Sequence, residues 1–473
     1  MTGVVTPEPV RLMPSGRTAV LLLVLVAVAF VIRVDALRNG APPVPAFGDG
    51  HNYQVLGRDL ADGHGFIRPV EFERTGARIA TAEYPPALPI LLAAGDELGV
   101  DGETGQRVIL CLVGAITVGL VGLVGRRLGG DAVGLLAAVL AAVHPALVNL
   151  DVSLGSESLA ACLGAAVLLA ALAVWDSPSR SRWIVLGVVL GVGCLVRSEF
   201  LLLVPVLLGV LAWRQSESWP ARLRSAGIGL VAVVVVLAPW TVRNAVTFHR
   251  FVPVSNNLGS VMRGANCGPA YHGPYRGLWV ESLSTQTSAV DPGHECFTGF
   301  AVGKGTDEAE AAATLRDDGL SYARHHLGDL PGVAVARLGR TVGLYRFQQQ
   351  ANFARLEGRD AARERRGTRA FQFFAVVGLA GLAAGGWRQR ERLLPLAVLV
   401  AVLVTVVVTY GNPRFRATAE PAVVLLAAVA VVDLVHWLAR GPARRAGIVP
   451  GGLDPDPAEQ IDDAPSGQDL VAP

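Results

Sequence analysis

Apolar residues run along this chain in blocks of roughly 15–25, the length that crosses a bilayer as a helix, divided by short Arg-rich or Pro/Gly-rich stretches. The first block, from about Thr18 to Val34, precedes a polar stretch from Asp35 to Gly105. Further blocks run from Gln106 to Val124, Ala132 to Leu150 and Ser156 to Trp175. Trp183 to Trp213 is apolar but interrupted by Arg197-Ser198-Glu199. Each half, about 14 residues or roughly 21 Å of helix, is short for an untilted crossing. Arginines flank both ends (Arg180 and Arg182; Arg214, Arg222 and Arg224), so the stretch reads as a hairpin whose tip points to the opposite face. Ile228–Val242, Ala370–Trp387, Leu393–Tyr410 and Pro421–Leu438 bring the count to about ten membrane segments. The pattern predicts an all-α, polytopic membrane bundle.

The arginines orient it. An internal amino end places Arg126-Arg127, Arg180–Arg182, Arg214–Arg224, Arg388–Arg392 and Arg440–Arg445 together in the cytoplasm. The expected layout is a cytoplasmic amino terminus (1–17) and a membrane bundle (18–242) with a first extracytoplasmic loop (35–105). An extracytoplasmic loop domain (243–369), closing spans (370–440) and a Pro-, Gly- and Asp-rich disordered tail (441–473) follow. One segment objects: Arg355–Arg369 carries six arginines and falls outside. The rival topology lets Pro331–Phe347 cross the membrane. That stretch holds Arg337, Arg340 and Arg346, so it reads instead as an amphipathic surface helix.

Composition agrees with a membrane protein: 52% of the 473 residues are hydrophobic. A formal net charge of +2 gives no electrostatic footprint for nucleic acid. Cys111, Cys162 and Cys194 lie in apolar blocks as small core residues. Cys267 and Cys296 lie in the long polar loop, where an oxidising exterior favours a disulfide over two free thiols. Their ring of about thirty residues is worth roughly 3–4 kcal/mol in the chain-entropy model.

Candidate chemistry gathers at the outer ends of the blocks. Asp49, in Gly48-Asp49-Gly50-His51-Asn52-Tyr53, precedes a short helix whose Tyr53, Leu56 and Leu60 share a face. Its ordinary role is the N-cap; its functional role is an acid or base at the membrane surface. Glu83, before Tyr84-Pro85-Pro86, is either a site carboxylate or a solvated one. Glu157, after Ser156, either complements a helix dipole or marks the rim of a site. Arg197, Arg243, Arg414 and Arg416 are the outer-face cations. In a locally extended turn Arg414 and Arg416 point the same way, and converging guanidinium groups suit a phosphate or pyrophosphate. His51 and His144 are not spaced as a metal site, and the sequence leaves a divalent cation open. No P-loop or dinucleotide-binding glycine pattern occurs in a strand–helix context, which argues against a nucleotide donor.

In order, these landmarks resemble the GT-C superfamily of polytopic glycosyltransferases, nearest the family 39-like branch of protein O-mannosyltransferases and the lipid A aminoarabinose transferase. The likeness rests on Asp49 with Tyr53, Gly63-His-Gly-Phe66, Tyr84-Pro-Pro86, Ser156-Glu157 and Leu195-Val-Arg-Ser-Glu199. Ala238-Pro-Trp-Thr-Val-Arg-Asn244, Pro253-Val-Ser-Asn256 and Gly411-Asn-Pro-Arg-Phe-Arg-Ala417 extend it across roughly Thr18 to Leu438. It implies a helical bundle of GT-C type with juxtamembrane helices, a small loop domain, an outward cavity and a polyprenyl-phosphate sugar donor. Asp49 would be the catalytic carboxylate, attack would invert the anomeric centre, and Tyr53, Glu83, Glu157, Arg197, Arg243, Arg414 and Arg416 would contact substrate. The acceptor would be a lipid, glycan or protein of the cell envelope. The mannosyltransferase branch carries an acidic pair in the first loop, whereas here Gly50 follows Asp49.

Two other classes compete: a transporter or flippase of a lipid-linked saccharide, and a noncatalytic envelope scaffold. A transporter favours internal repeats and helices broken at the midplane. No clear repeat is present, and the charged residues gather at one face.

Overall fold

The computed structural model describes residues 16–46, 48–215, 217–280, 296–297 and 307–439; the tail expected to be disordered lies outside them. Residues up to Val432 belong to one compact unit, and a second begins at Asp433, of which the helical residues to Ala439 are described. The described residues contain no strand, only an isolated bridge between Ile67 and Ala80.

The first helix, α1 (Gly16–Gly40), presents Val20, Leu23 and Val31 outward at 60–69% exposure, which only a lipid surface tolerates along a whole face. The polar stretch after it holds α2 (Asp49–Ala61), α3 (Pro69–Thr75) and α4 (Ala87–Glu97). Next comes α5 (Gly102–Val143), whose 42 residues would reach about 63 Å if straight, twice a hydrocarbon core. It turns back at Gly129-Gly130, where Gly130 has φ 83°, a conformation that favours glycine. Its two arms then pack so closely that a Cβ on Gly134 would lie 2.6 Å from the Gly122 carbonyl oxygen.

The second arm stops at Val143. Pro145 disfavours helical backbone at His144, which is extended, so the expected span to Leu150 restarts as the short α6 (Pro145–Asp151). Beyond it lie α7 (Glu157–Asp176), then α8 (Arg180–Val196) and α9 (Phe200–Arg214), the two short halves of the hairpin. The long α10 (Trp219–Phe248) leads into the loop region.

There α11 (Leu258–Ala265) packs against α12 (Glu308–His325). The Glu308 carboxylate accepts from Thr81 Oγ1 and the Ala82 N–H, both at 2.8 Å, and from Asn256 Nδ2 at 3.0 Å. The loop region is thereby fastened to the first polar stretch. Cys267 and Cys296 are disulfide-bonded.

The next helix, α13 (Leu330–Thr341), is not the surface helix its arginines suggested. Arg337 and Arg340 are buried and aimed at backbone oxygens: Arg337 donates to Ala265 and Val407, Arg340 to Arg276 and Pro274. A guanidinium carries five donors, so it can satisfy carbonyls that loops and helix ends leave open. Polar residues at helical spacing look the same whether they face water or carbonyl oxygens.

The last three helices are α14 (Ala361–Ala383), α15 (Leu394–Val408) and α16 (Glu420–Ala439). With α5 counted as two passes, alternating segments gather the first polar stretch, the Arg197–Glu199 tip and the Asn412–Thr418 turn at one end. Arg126-Arg127, Arg182, Arg214 and Arg388–Arg392 gather at the other. Six of the described helical stretches are long and apolar enough to cross a bilayer, and the protein is a multi-pass membrane protein.

Candidate functional site

The polar end of the bundle holds a cleft of about 150 Å³ built from distant parts of the chain. Asp49 and Tyr53 come from α2, Tyr84 and Pro85 from the turn before α4, and Ser156 from the turn before α7. Arg197 to Glu199 come from the hairpin tip, and Tyr410, Arg414 and Phe415 from the turn before α16.

Asp49 is placed by the residue before it. Gly48 sits at φ 91° as the cap of α2, so Asp49 becomes the first helical residue. The ordinary capping role is thereby excluded: no side chain caps this helix. Asp49 Oδ1 instead accepts from Tyr84 Oη at 3.1 Å, and Oδ2 lies 2.5 Å from Arg414 Nη2.

Arg414 reaches two further carboxylates, with Nε 3.2 Å from Glu157 Oε1 and Nη1 3.4 Å from Glu357 Oε1. Glu157 Oε1 also accepts from Arg197 Nη1 at 2.7 Å, and Arg197 Nε lies 3.2 Å from Glu199 Oε1. Glu199 is fixed in turn by the Thr418 hydroxyl at 2.7 Å. On the far side Arg359 pairs with Glu357 and, at 2.9 Å, with Glu364. Three guanidiniums and five carboxylates thus form one continuous network, each cation between at least two anions. Such a network is stable only when every member is partnered.

Two phenols form part of the wall. The rings of Tyr53 and Tyr84 lie 4.7 Å apart, both buried. Burial, and then the Asp49 charge, hold Tyr84 well above the usual phenol range, and the same causes raise Tyr53. Burial also pushes Tyr410 up to about 12, with the Arg414 charge opposing it. These hydroxyls are donors across the physiological range.

Asp49, Tyr53, Glu157, Arg197 and Arg414 are therefore brought together. Glu83, Arg243 and Arg416 are not. Glu83 is exposed beside Tyr84 and outside the cleft wall. Arg243 donates to the Thr81 and Phe66 carbonyls and lies over the rings of Trp240, Phe248 and Phe66, bracing the first polar stretch. Arg416 is buried against Glu420, the Thr341 carbonyl, Thr368 and the Phe371 ring.

The separation of Arg414 from Arg416 corrects the extended-turn expectation. Pro413–Thr418 is a 3₁₀ helix capped by Asn412, and at three residues per turn positions two apart face different sides.

Sequence reasoning left out Glu199, Glu357 and Arg359 as site residues. Glu199 was visible as the acid interrupting an apolar hairpin. Glu357 and Arg359 lie in the arginine-rich segment that objected to the topology, and Arg359 is spent on internal ion pairs. Among the described residues, no group of three or more His, Cys, Asp or Glu side chains could hold a metal ion.

Residues 83–242 match the model of the dolichyl-phosphate-mannose-protein mannosyltransferase family. No curated protein matches the chain in sequence. Among solved structures, the chain is similar to the apo oligosaccharyltransferase of Archaeoglobus fulgidus, with 14% identity and a TM-score of 0.51, covering 89% of this chain and 51% of that one. AglB from the same organism, in complex with an inhibitory peptide and a dolichol-phosphate, gives the same identity and TM-score over 90% and 51%. ArnT from Cupriavidus metallidurans bound to undecaprenyl phosphate aligns at 17% identity and a TM-score of 0.40, over 90% and 79%. The chain spans about half the length of the archaeal oligosaccharyltransferase.

The chain shares the fold of the archaeal oligosaccharyltransferase, and the family match over 83–242 agrees with the resemblance read from the sequence. The family match contains Tyr84, Glu157 and the Arg197–Glu199 tip, whereas Asp49 and Arg414 lie on either side of it.

Proposed function

We propose that this chain is an inverting membrane glycosyltransferase that moves a sugar from a polyprenyl-phosphate donor to a hydroxyl of a cell-envelope acceptor, on the extracytoplasmic face. The observation that carries the reading is Asp49 beside Arg414: a base and an anion-binding fork 2.5 Å apart in the wall of one cleft. The mannosyltransferase match over 83–242 supports it, as does the dolichol-phosphate named with AglB, a protein of like fold. The clustering of cationic loops at the opposite end of the bundle supports the sidedness.

In this reading the acceptor oxygen bonds to the anomeric carbon while its proton passes to Asp49. The bond from that carbon to the phosphate oxygen breaks, and its electron pair leaves on the polyprenyl phosphate. Arg414, backed by Arg197, stabilises the negative charge that gathers there, an interaction strongest in the transition state. Glu157 positions both guanidiniums. Tyr53 and Tyr84 offer aromatic surface to the sugar, and the Tyr84 hydroxyl orients the base. The cleft is smaller than the roughly 300–1,000 Å³ of pockets that enclose a whole drug-sized ligand, so it takes the reacting end while the lipid stays in the bilayer.

The test is transfer by the purified full chain from polyprenyl-phosphate hexoses and pentoses, guided by the lipid-linked sugar that accumulates in a deletion strain. Transfer with inversion is expected. No accumulated sugar lipid, and no transfer from any donor, would refute the reading.

A further inference from the structure

Every guanidinium of the cleft network is already matched by carboxylates. Arg197 lies between Glu157 and Glu199, Arg359 between Glu357 and Glu364, and Arg414 among Asp49, Glu157 and Glu357. An arriving phosphate finds no guanidinium whose charge is uncompensated. To meet one at full charge it has to displace a carboxylate.

The three carboxylates around Arg414 are not equally held. Glu157 is 8% exposed and also bound by Arg197. Glu357 is held by Asn412 Nδ2 at 3.0 Å and by Arg359. Asp49 is the most exposed of the three, at 34%, and its other partner is a neutral phenol, Tyr84. A carboxylate with one ionic partner and access to water loses least when that partner is taken, because hydration replaces the contact. A phosphate, with its several acceptor oxygens, matches the guanidinium fork that Asp49 would vacate.

We propose that the Asp49–Arg414 ion pair is an autoinhibitory latch, opened when the donor's phosphate displaces the Asp49 carboxylate from Arg414. The inference rests on the glycosyltransferase reading and adds regulation of the same site. With the latch closed, one Asp49 oxygen faces Arg414 and the other accepts from Tyr84, so the base is engaged twice. With phosphate on Arg414, one oxygen is released to accept the acceptor's proton. The base becomes available only once a donor is seated, which imposes an order: donor first, acceptor second.

Competition for Arg414 has a signature that general charge repulsion lacks. The measurement is equilibrium binding of a sugar-free polyprenyl phosphate to the purified full chain in nanodiscs, for wild type, Asp49→Asn, Arg414→Gln and the double variant. Asp49→Asn is expected to tighten binding roughly tenfold, as an energy near 1.4 kcal/mol would, and Arg414→Gln to weaken it. In the Arg414→Gln background the Asp49→Asn gain should shrink below about twofold, because the coupling runs through the missing guanidinium. Should Arg414→Gln fail to fold, Arg414→Lys takes its place, with a reduced gain expected. A gain that persists undiminished without Arg414 is repulsion alone and overturns the latch. Unchanged or weaker binding by Asp49→Asn also overturns it, while wild-type binding leaves the glycosyltransferase reading standing. If neither wild type nor Asp49→Asn binds polyprenyl phosphate, both fall.

Discussion

Arg33 on α1 places its Nε 2.6 Å from the Asp151 carboxylate at the end of α6, with the two side chains 0% and 2% exposed. Ser158 of α7 donates to the other Asp151 oxygen at 2.6 Å, and Arg33 Nη1 donates to the carbonyls of Ala29 and Ala142. One buried pair therefore ties four helices together, α1, α5, α6 and α7. Removing one partner strands a charge: Arg33→Met should cost about 3–5 kcal/mol, whereas Arg33→Met with Asp151→Leu should recover most of it. Thermal unfolding in detergent reads this. A double variant no more stable than the single would show that the pair is not coupled.

Asp49→Asn keeps the shape of the side chain and removes its basicity. Transfer should fall by about 10²–10⁴, the usual worth of a positioned general base, with the protein still folded and inserted. Wild-type turnover in this variant would remove Asp49 from the chemistry.

Arg414→Lys keeps the charge and loses the fork. A single ammonium cannot span Asp49, Glu157 and Glu357 as the guanidinium does. Transfer should drop by about 10²–10³, the cost of losing an oxyanion donor, and kinetics in which lysine serves as well as arginine would contradict this.

How much of this was legible in the sequence differs between elements. The apolar blocks and the Arg197–Glu199 interruption were plain, because repeated apolar stretches of hydrocarbon length bury more surface than a soluble core can cover. Glu157 and Arg197 were readable as charges at the ends of apolar blocks, where burial has to be paired with function or with another charge. Glu357, by contrast, sits in a segment whose six arginines drew all attention to sidedness. Nothing local says that Arg359 is consumed by Glu357 and Glu364, or that Arg337 meets carbonyls instead of headgroups. Those are tertiary facts, set by which chain segment passes nearby.

Burial, reinforced by Asp49, holds the Tyr84 phenol far above its ordinary value of 10.0. A raised value means the stabilisation is complete below that ordinary value and is lost as pH climbs above it, because the unfolded chain ionises first. Melting curves taken up to strongly alkaline buffer should show wild type losing more stability above about pH 10 than Tyr84→Phe does. Parallel losses would contradict it.

The Cys267–Cys296 bridge joins parts of the loop region that α11 and α12 flank. Replacing both cysteines with serine should lower stability by roughly 3–4 kcal/mol through the freed unfolded chain. An unaltered melting temperature would show that the bridge constrains nothing.

The 3₁₀ turn between Asn412 and Thr418 has a consequence for anyone reading variation at this site. Arg414 and Arg416 stand two positions apart in one short motif, and a saturation screen scored on growth would return the same intolerance at both. The causes are unrelated, because one guanidinium faces the cleft and the other is packed under Phe371 against Glu420. A parallel screen scored on cellular abundance would rank them, with deeper depletion for the packed arginine, 2% exposed, than for the cleft arginine, 16% exposed and bordered by water.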